Sequence, residues 1–265
     1  MTKLIEFKNH KGELLRGLFN KENFTKVVIF VHGFEHTTVE PKFKKIIDKL
    51  KGDVSTFRFD FSGCGLSDGK FSDLTVEKLT NELEMAIKVI KKEMPKIKSI
   101  FLVGHSLAGC VIVNYLQNKN KLIEKAVLFG PALNQEHLIR YYSTRGLFVG
   151  KKYINWDNWK KNFSELKFDL WLKKKNKVRK ANFISNNYFE ENKGLDYQNM
   201  LETVCIDLNK ILIVQGTRDD KVPIASNDKL PKEIKQIIVK NSDHNFEKPE
   251  FVKQYLMKVV TFLKK

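Results

Sequence analysis

IFLVGHSLAG, residues 100–109, decides how the chain is read. Its first half, Ile100, Phe101, Leu102 and Val103, is the short unbroken apolar block of a strand buried on both faces. Its second half puts Ser106 on the turn where that strand gives way to a helix, at the carboxyl edge of a sheet, where open α/β sheets hold their ligands. A turn that sharp is crowded, and Gly104, Ala108 and Gly109 supply the small residues it demands. The pattern is G-x-S-x-G with alanine in the last place and glycine one step later, a conservative departure because alanine is still small. The spacing predicts a strained elbow that pushes the Ser106 hydroxyl out above a helix amino end.

Working outward, strands and helices alternate. KVVIFVHG (26–33) reads as a buried strand and is followed by a helix with Phe43, Ile46, Ile47 and Leu50 at helical spacing. VSTFRFDF (54–61) alternates as a strand and runs into the glycine-punctuated loop SGCGLSDGK. Thr75 is placed to cap a helix burying Val76, Leu79, Leu83, Ile87 and Ile90, which ends before Pro95. KAVLFG (125–130), ILIVQG (211–216) and IKQIIVK (234–240) are further strands, and a last helix carries Phe251, Tyr255, Val259 and Phe262 inward. KLIEF and ELLRGLF, joined by NHKG, form an amino-terminal hairpin. The order implies an α/β fold with a mostly parallel central sheet and helices on both faces.

Residues 133–208 break the rhythm and hold all three tryptophans, Trp156, Trp159 and Trp171. A structureless loop of that length is improbable in a compact domain, so the segment is expected to be an inserted, mainly helical cap. The core is then residues 1–132 and 209–265, with 182–208 as a stretch that could rejoin it.

A serine hydroxyl becomes a nucleophile only when a base takes its proton and a third group orients that base. An elbow of this kind calls for the partners in the chain order Ser, acid, His, each at a later strand end. Asp219 lies three residues beyond Gly216, and His244 just past the strand ending at Lys240. Of the six histidines, His10 is in the hairpin, His137 in the insertion, His32 and His36 in the first loop, and His105 beside the serine but pointing away from it. Asp220 is the main rival of Asp219, and Asp243 is expected to shape the histidine loop. Acyl transfer also needs oxyanion donors, for which the backbone N–H groups of Phe34 and Leu107 are placed.

Composition narrows the alternatives. At 265 residues, 42% hydrophobic and 30% charged, the chain is that of an ordinary globular protein. It has no apolar run near the roughly 20 residues of a membrane span and no signal-peptide core near its start, so a cytoplasmic location is expected. Cys64, Cys110 and Cys205 are far apart and support neither a disulfide framework nor a zinc site; no metal or cofactor is implied. The net charge of +17 raises an anionic partner, but the 48 basic residues comprise 42 lysines and 6 arginines spread along the chain. Specific phosphate or base readout favours arginine, so no nucleic-acid reader is expected, and WLKKKNKVRK (171–180) is read as a solvated helix face.

VHGF, FRFDFSGCGLSDGKF, LVGHSLAG, QGTRDDKVP and SDHNF, in this order, resemble the α/β-hydrolase fold. Within it they are most similar to bacterial serine esterases of the cinnamoyl or feruloyl group, and next to monoacylglycerol-lipase-like enzymes. The resemblance covers about 1–132 and 182–265, and implies Ser106 as nucleophile, His244 as base, Asp219 as acid, Phe34 and Leu107 as oxyanion donors, and a cap over the pocket. The expected activity is hydrolysis of small to medium carboxylic esters. Phe34, Trp156 and Trp159 are candidates to line the substrate pocket, the tryptophans equally as cap core. The same constellation could serve a thioesterase, an amidase or peptidase, or an acyltransferase. An idle fold that binds anionic surfaces is the alternative outside enzymes.

Overall fold

The computed structural model describes residues 2–118, 122–144, 148–149, 152–153, 155–159 and 186–264. The amino-terminal hairpin is β1 (Thr2–Lys8) and β2 (Leu14–Asn20), paired with Thr2 opposite Asn20. β3 (Lys26–Val31), α1 (Pro41–Leu50), β4 (Ser55–Phe59), α2 (Val76–Glu93), β5 (Ser99–His105), α3 (Ala108–Tyr115) and β6 (Ile123–Phe129) follow. Beyond residue 208 come β9 (Ile211–Gly216), β10 (Lys235–Val239) and the closing helix α6 (Pro249–Lys264). Eight of the described strands form one sheet in the order β1-β2-β4-β3-β5-β6-β9-β10. β1–β2 and β2–β4 are antiparallel, and every other neighbour pair is parallel.

This is the mostly parallel sheet with helices on both faces expected from the alternation. β5 is central and buried from Ile100 onward, which explains its unbroken apolar run. One face of the sheet packs Leu79, Leu83 and Ile87 of α2 with Val111 and Ile112 of α3. The other packs Phe43 and Ile46 of α1 with Phe251, Tyr255 and Val259 of α6. Thr75 caps α2 as its position predicts, its hydroxyl accepting Lys78 N–H at 3.0 Å. A second cap comes from far away, where the Glu191 carboxylate accepts the N–H groups of Val76 and Glu77, each at 2.6 Å.

Between β6 and β9 lie α4 (Gln135–Thr144), the short antiparallel pair β7 (Phe148–Val149) and β8 (Lys152–Tyr153), and α5 (Asn186–Asn192). Trp171 and the basic run 171–180 lie outside the described residues. Tyr188, Phe189, Tyr197 and Leu201 pack in the main core beside α3, whereas Leu138, Tyr141 and Trp159 form a satellite cluster with Ala132 and Val222. No helix among the described residues is long and apolar enough to cross a membrane.

Candidate active site

The carboxyl ends of β5, β6 and β9 and the loops after β3 and β10 converge on one small region. Ser106 directly follows β5 and has φ of 55°, a left-handed conformation that side chains other than glycine rarely adopt. The elbow is fixed by Ser106 N–H donating to Phe129 O at 2.9 Å, while Ser106 O accepts Gly109 N–H at 2.9 Å and Ala132 N–H at 3.0 Å. Its small residues are needed for space: a Cβ on Gly104 would come within 2.6 Å of Ile112 Cδ1, and one on Gly109 within 2.5 Å of Pro131 Cβ. α3 therefore starts at Ala108, two residues later than the serine.

His244 and Asp219 form a buried pair, Nδ1 to Oδ2 at 2.7 Å, with side chains 6% and 1% exposed. The other carboxylate oxygen, Oδ1, accepts the N–H groups of Lys221 and Val222 at 2.9 and 2.8 Å, so the acid is held on three sides. Of the three acidic candidates, Asp219 is the one hydrogen-bonded to the imidazole. The Asp220 main-chain oxygen instead accepts the Tyr141 hydroxyl at 2.9 Å, and Asp243 Oδ1 accepts Asn245 and Phe246 N–H, shaping the histidine loop as expected.

The pair sits beside the elbow. Gly130, one residue past Phe129, comes so close that a Cβ there would lie 3.1 Å from Asp219 Oδ2 and 3.2 Å from His244 Nδ1. The His105 and His244 rings are 4.7 Å apart between centroids, and Ser106 itself is buried. Ser106 Oγ and His244 Nε2 are hydrogen-bonded neither to each other nor to another described residue. An imidazole whose Nδ1–H is claimed by a carboxylate keeps Nε2 as its proton acceptor, the form a hydroxyl nucleophile requires.

The N–H groups of Phe34 and Leu107 donate to no protein acceptor among the described residues. The loop carrying Phe34 is pinned by three side-chain contacts, two of them between distant parts of the chain. His32 Nε2 accepts Phe61 N–H at 3.0 Å, Asp60 Oδ1 accepts Thr38 N–H at 2.7 Å, and Glu40 Oε1 accepts Gly33 N–H at 3.0 Å. The Phe34 ring meets Phe71 edge-on at 5.0 Å. Trp159 is buried and Trp156 half-buried, their rings 6.1 Å apart; Trp156 also meets Tyr141 edge-on at 5.2 Å. Their cluster contains Val222, three residues after Asp219.

His105 Nε2–H donates to the main-chain oxygen of His244 at 2.9 Å, and its Nδ1 lies 3.0 Å from Glu40 Oε2. Burial pushes its imidazole down to about 3 against the pull of Glu40. Burial opposes ionisation of Glu40, but His105 and Lys42 outweigh it and hold the carboxyl well below the usual range. Sequence reasoning passed over Glu40, Lys42 and Asp60. A glutamate before Pro41 reads as an ordinary helix start, and nothing local signals that its side chain is buried.

The Hydrolase_4 family model, described as "Serine aminopeptidase, S33", matches residues 22–240. The chain belongs to this family. The match takes in the elbow, the acid loop and the sheet from β3 to β10, ending four residues before His244. Solved structures share this hydrolase's fold. Est1E from Butyrivibrio proteoclasticus with bound ferulic acid is 20% identical with a TM-score of 0.69, covering 98% of this chain and 96% of that one. An esterase from Pyrococcus furiosus is 19% identical with a TM-score of 0.68, covering 100% and 90%. Mouse alpha/beta hydrolase domain-containing protein 10 is 15% identical with a TM-score of 0.65, covering 98% of each chain. No sequence among the curated proteins is a significant match to this hydrolase.

Proposed function

We propose that this hydrolase cleaves small to medium carboxylic esters through an acyl-enzyme on Ser106. The observation that carries the reading is the buried Asp219–His244 pair set against a serine at φ of 55°. Ser106 Oγ attacks the ester carbonyl while His244 Nε2 takes its proton. Asp219 fixes the imidazole tautomer and stabilises the cation that forms, and the N–H groups of Phe34 and Leu107 bind the oxyanion. His244 then protonates the leaving alcohol and later activates the water that releases the acid. Hydrogen bonds at such sites are commonly long without substrate and tighten in the reacting complex, which fits the unpaired Ser106 Oγ. In this reading Phe34 and Trp156 are walls of the acyl pocket, with Trp159 buried behind them. The cap is drawn from 133 to about 185, with 186–208 packed back on the core.

A fluorophosphonate probe tests the nucleophile: labelling of the wild type that is lost in Ser106→Ala is the expected result, and a folded wild type that does not react refutes it. Turnover should fall on the order of 10⁴-fold or more in Ser106→Ala and His244→Ala. The family's description as a serine aminopeptidase favours an amide substrate as the second reading. A panel of 4-nitrophenyl esters, hydroxycinnamate esters, thioesters and aminoacyl 4-nitroanilides decides between them, with anilide turnover above ester turnover overturning the ester assignment.

A further inference from the structure

Glu40 directly precedes α1, yet its carboxylate caps nothing in that helix. Its main-chain oxygen alone receives the first turn, from Phe43 and Lys44 N–H at 3.0 and 3.3 Å. The side chain turns inward and is 1% exposed. There its two oxygens part company. Oε1 accepts Gly33 N–H at 3.0 Å, with His36 Nδ1 4.0 Å away. Oε2 pairs with the fully buried ammonium of Lys42 and lies 3.0 Å from His105 Nδ1. His105 Nε2–H in turn donates to the main-chain oxygen of His244 at 2.9 Å.

Each residue reached in this way adjoins or belongs to the chemistry. Gly33 precedes Phe34, His105 precedes Ser106, and His244 is the base. Gly33 also rests directly on the elbow, since a Cβ there would lie 3.1 Å from His105 O and 3.2 Å from Ser106 Cβ. With Gly33 seated on that contact, the bond to Glu40 Oε1 fixes the His32–Gly33 peptide, the anchor from which the following peptide presents the Phe34 N–H. Stability alone is a weak reason for the arrangement, because a buried ion pair gains little over apolar groups of the same volume.

Resting on the Ser106 reading above, we propose that Glu40 is a positioning residue: through the Gly33 N–H it holds the oxyanion loop in register against the nucleophile elbow. Lys42 supplies the charge that lets the carboxylate stay buried. Freed from Glu40, the Phe34 N–H loses its aim at the developing oxyanion, while the substrate's ground-state contacts stay. The loss therefore falls on kcat rather than KM.

The test compares double variants, with kcat expressed per site titrated by a fluorophosphonate. Glu40→Leu with Lys42→Met removes both charges and the acceptor at similar volume. Glu40→Gln with Lys42→Met keeps an oxygen for Gly33 N–H. With 4-nitrophenyl acetate, the Leu/Met pair is expected to fold and to lose about 10- to 100-fold in kcat, with KM changed less than about threefold. The Gln/Met pair should recover to within about threefold of wild type. Glu40→Met with Lys42→Met, which likewise lacks an acceptor for Gly33 N–H, should show the same loss. Wild-type kcat per titrated site in the Leu/Met pair overturns the proposal, as does wild-type kcat in the Met/Met pair should the first not fold. A wild-type protein that does not react with the fluorophosphonate removes the Ser106 reading and this one with it; a reactive wild type with unaffected variants removes this one alone.

Discussion

Asp219→Asn is the substitution whose effect follows most directly from the geometry. Oδ1 of Asp219 accepts two main-chain N–H groups, Lys221 at 2.9 Å and Val222 at 2.8 Å, and these fix which way an asparagine must turn. The amide oxygen takes the Oδ1 place and the NH₂ the Oδ2 place, 2.7 Å from His244 Nδ1. Two donors cannot face each other at that distance, so Nδ1 gives up its hydrogen and the ring carries it on Nε2, the nitrogen needed to accept the proton of Ser106. Turnover should then fall on the order of 10⁴-fold, which is about 5.5 kcal/mol of lost transition-state stabilisation. Folding should survive, because the two main-chain donors keep their acceptor. The assay is hydrolysis of 4-nitrophenyl acetate beside thermal unfolding of the same preparations. Asp219→Asn retaining more than about a tenth of wild-type turnover, or Asp220→Asn proving the more damaging, would refute the tautomer argument.

Two further outcomes follow from the same region. Gly130 has φ of 45° and lies under the Asp219–His244 pair, so Gly130→Ala should displace that pair; kcat is expected to drop about tenfold or more and stability by about 1 kcal/mol, read by titrated kinetics and urea unfolding. His105 has its pKa lowered from 6.5 to about 3, so the unfolded chain binds a proton that the folded one refuses. Its contribution is intact above the unfolded pKa and declines as pH falls, by up to about 1.4 kcal/mol per unit below about pH 6.5. Urea midpoints between about pH 7.5 and 5, above the range where Glu40 enters, should show this slope in wild type and a shallower one in His105→Phe; equal slopes would contradict the neutral, buried ring.

The fold was legible because its carriers are local. Ile100 to Val103 are apolar without a break since β5 has neighbours on both faces and both edges, and Thr75 precedes Val76 because a helix start needs a side-chain acceptor. The candidate site was legible for a related reason: the elbow needs Gly104, Ala108 and Gly109 within five residues of Ser106, and Asp219 and His244 fall at strand ends already recognised. The insertion was legible only as an interruption. Aromatic content does not say which partner a ring will find, and Tyr188 and Tyr197 join the main core while Tyr141 and Trp159 pack against Val222.

By itself the sequence determined the order of strands and helices, the sharp turn at Ser106 and the identity of the residues that follow each strand. Periodicity and side-chain volume are properties of neighbouring residues, and a chain displays them without being folded. Only the tertiary structure decided that Asp219 and not Asp220 meets His244, and that Glu40 turns away from its own helix to reach Gly33 and His105. It likewise decided that Glu191 caps a helix more than a hundred positions earlier in the chain. Those choices depend on distances across the sheet, where one rotated peptide separates a hydrogen bond from none, and no local pattern encodes them.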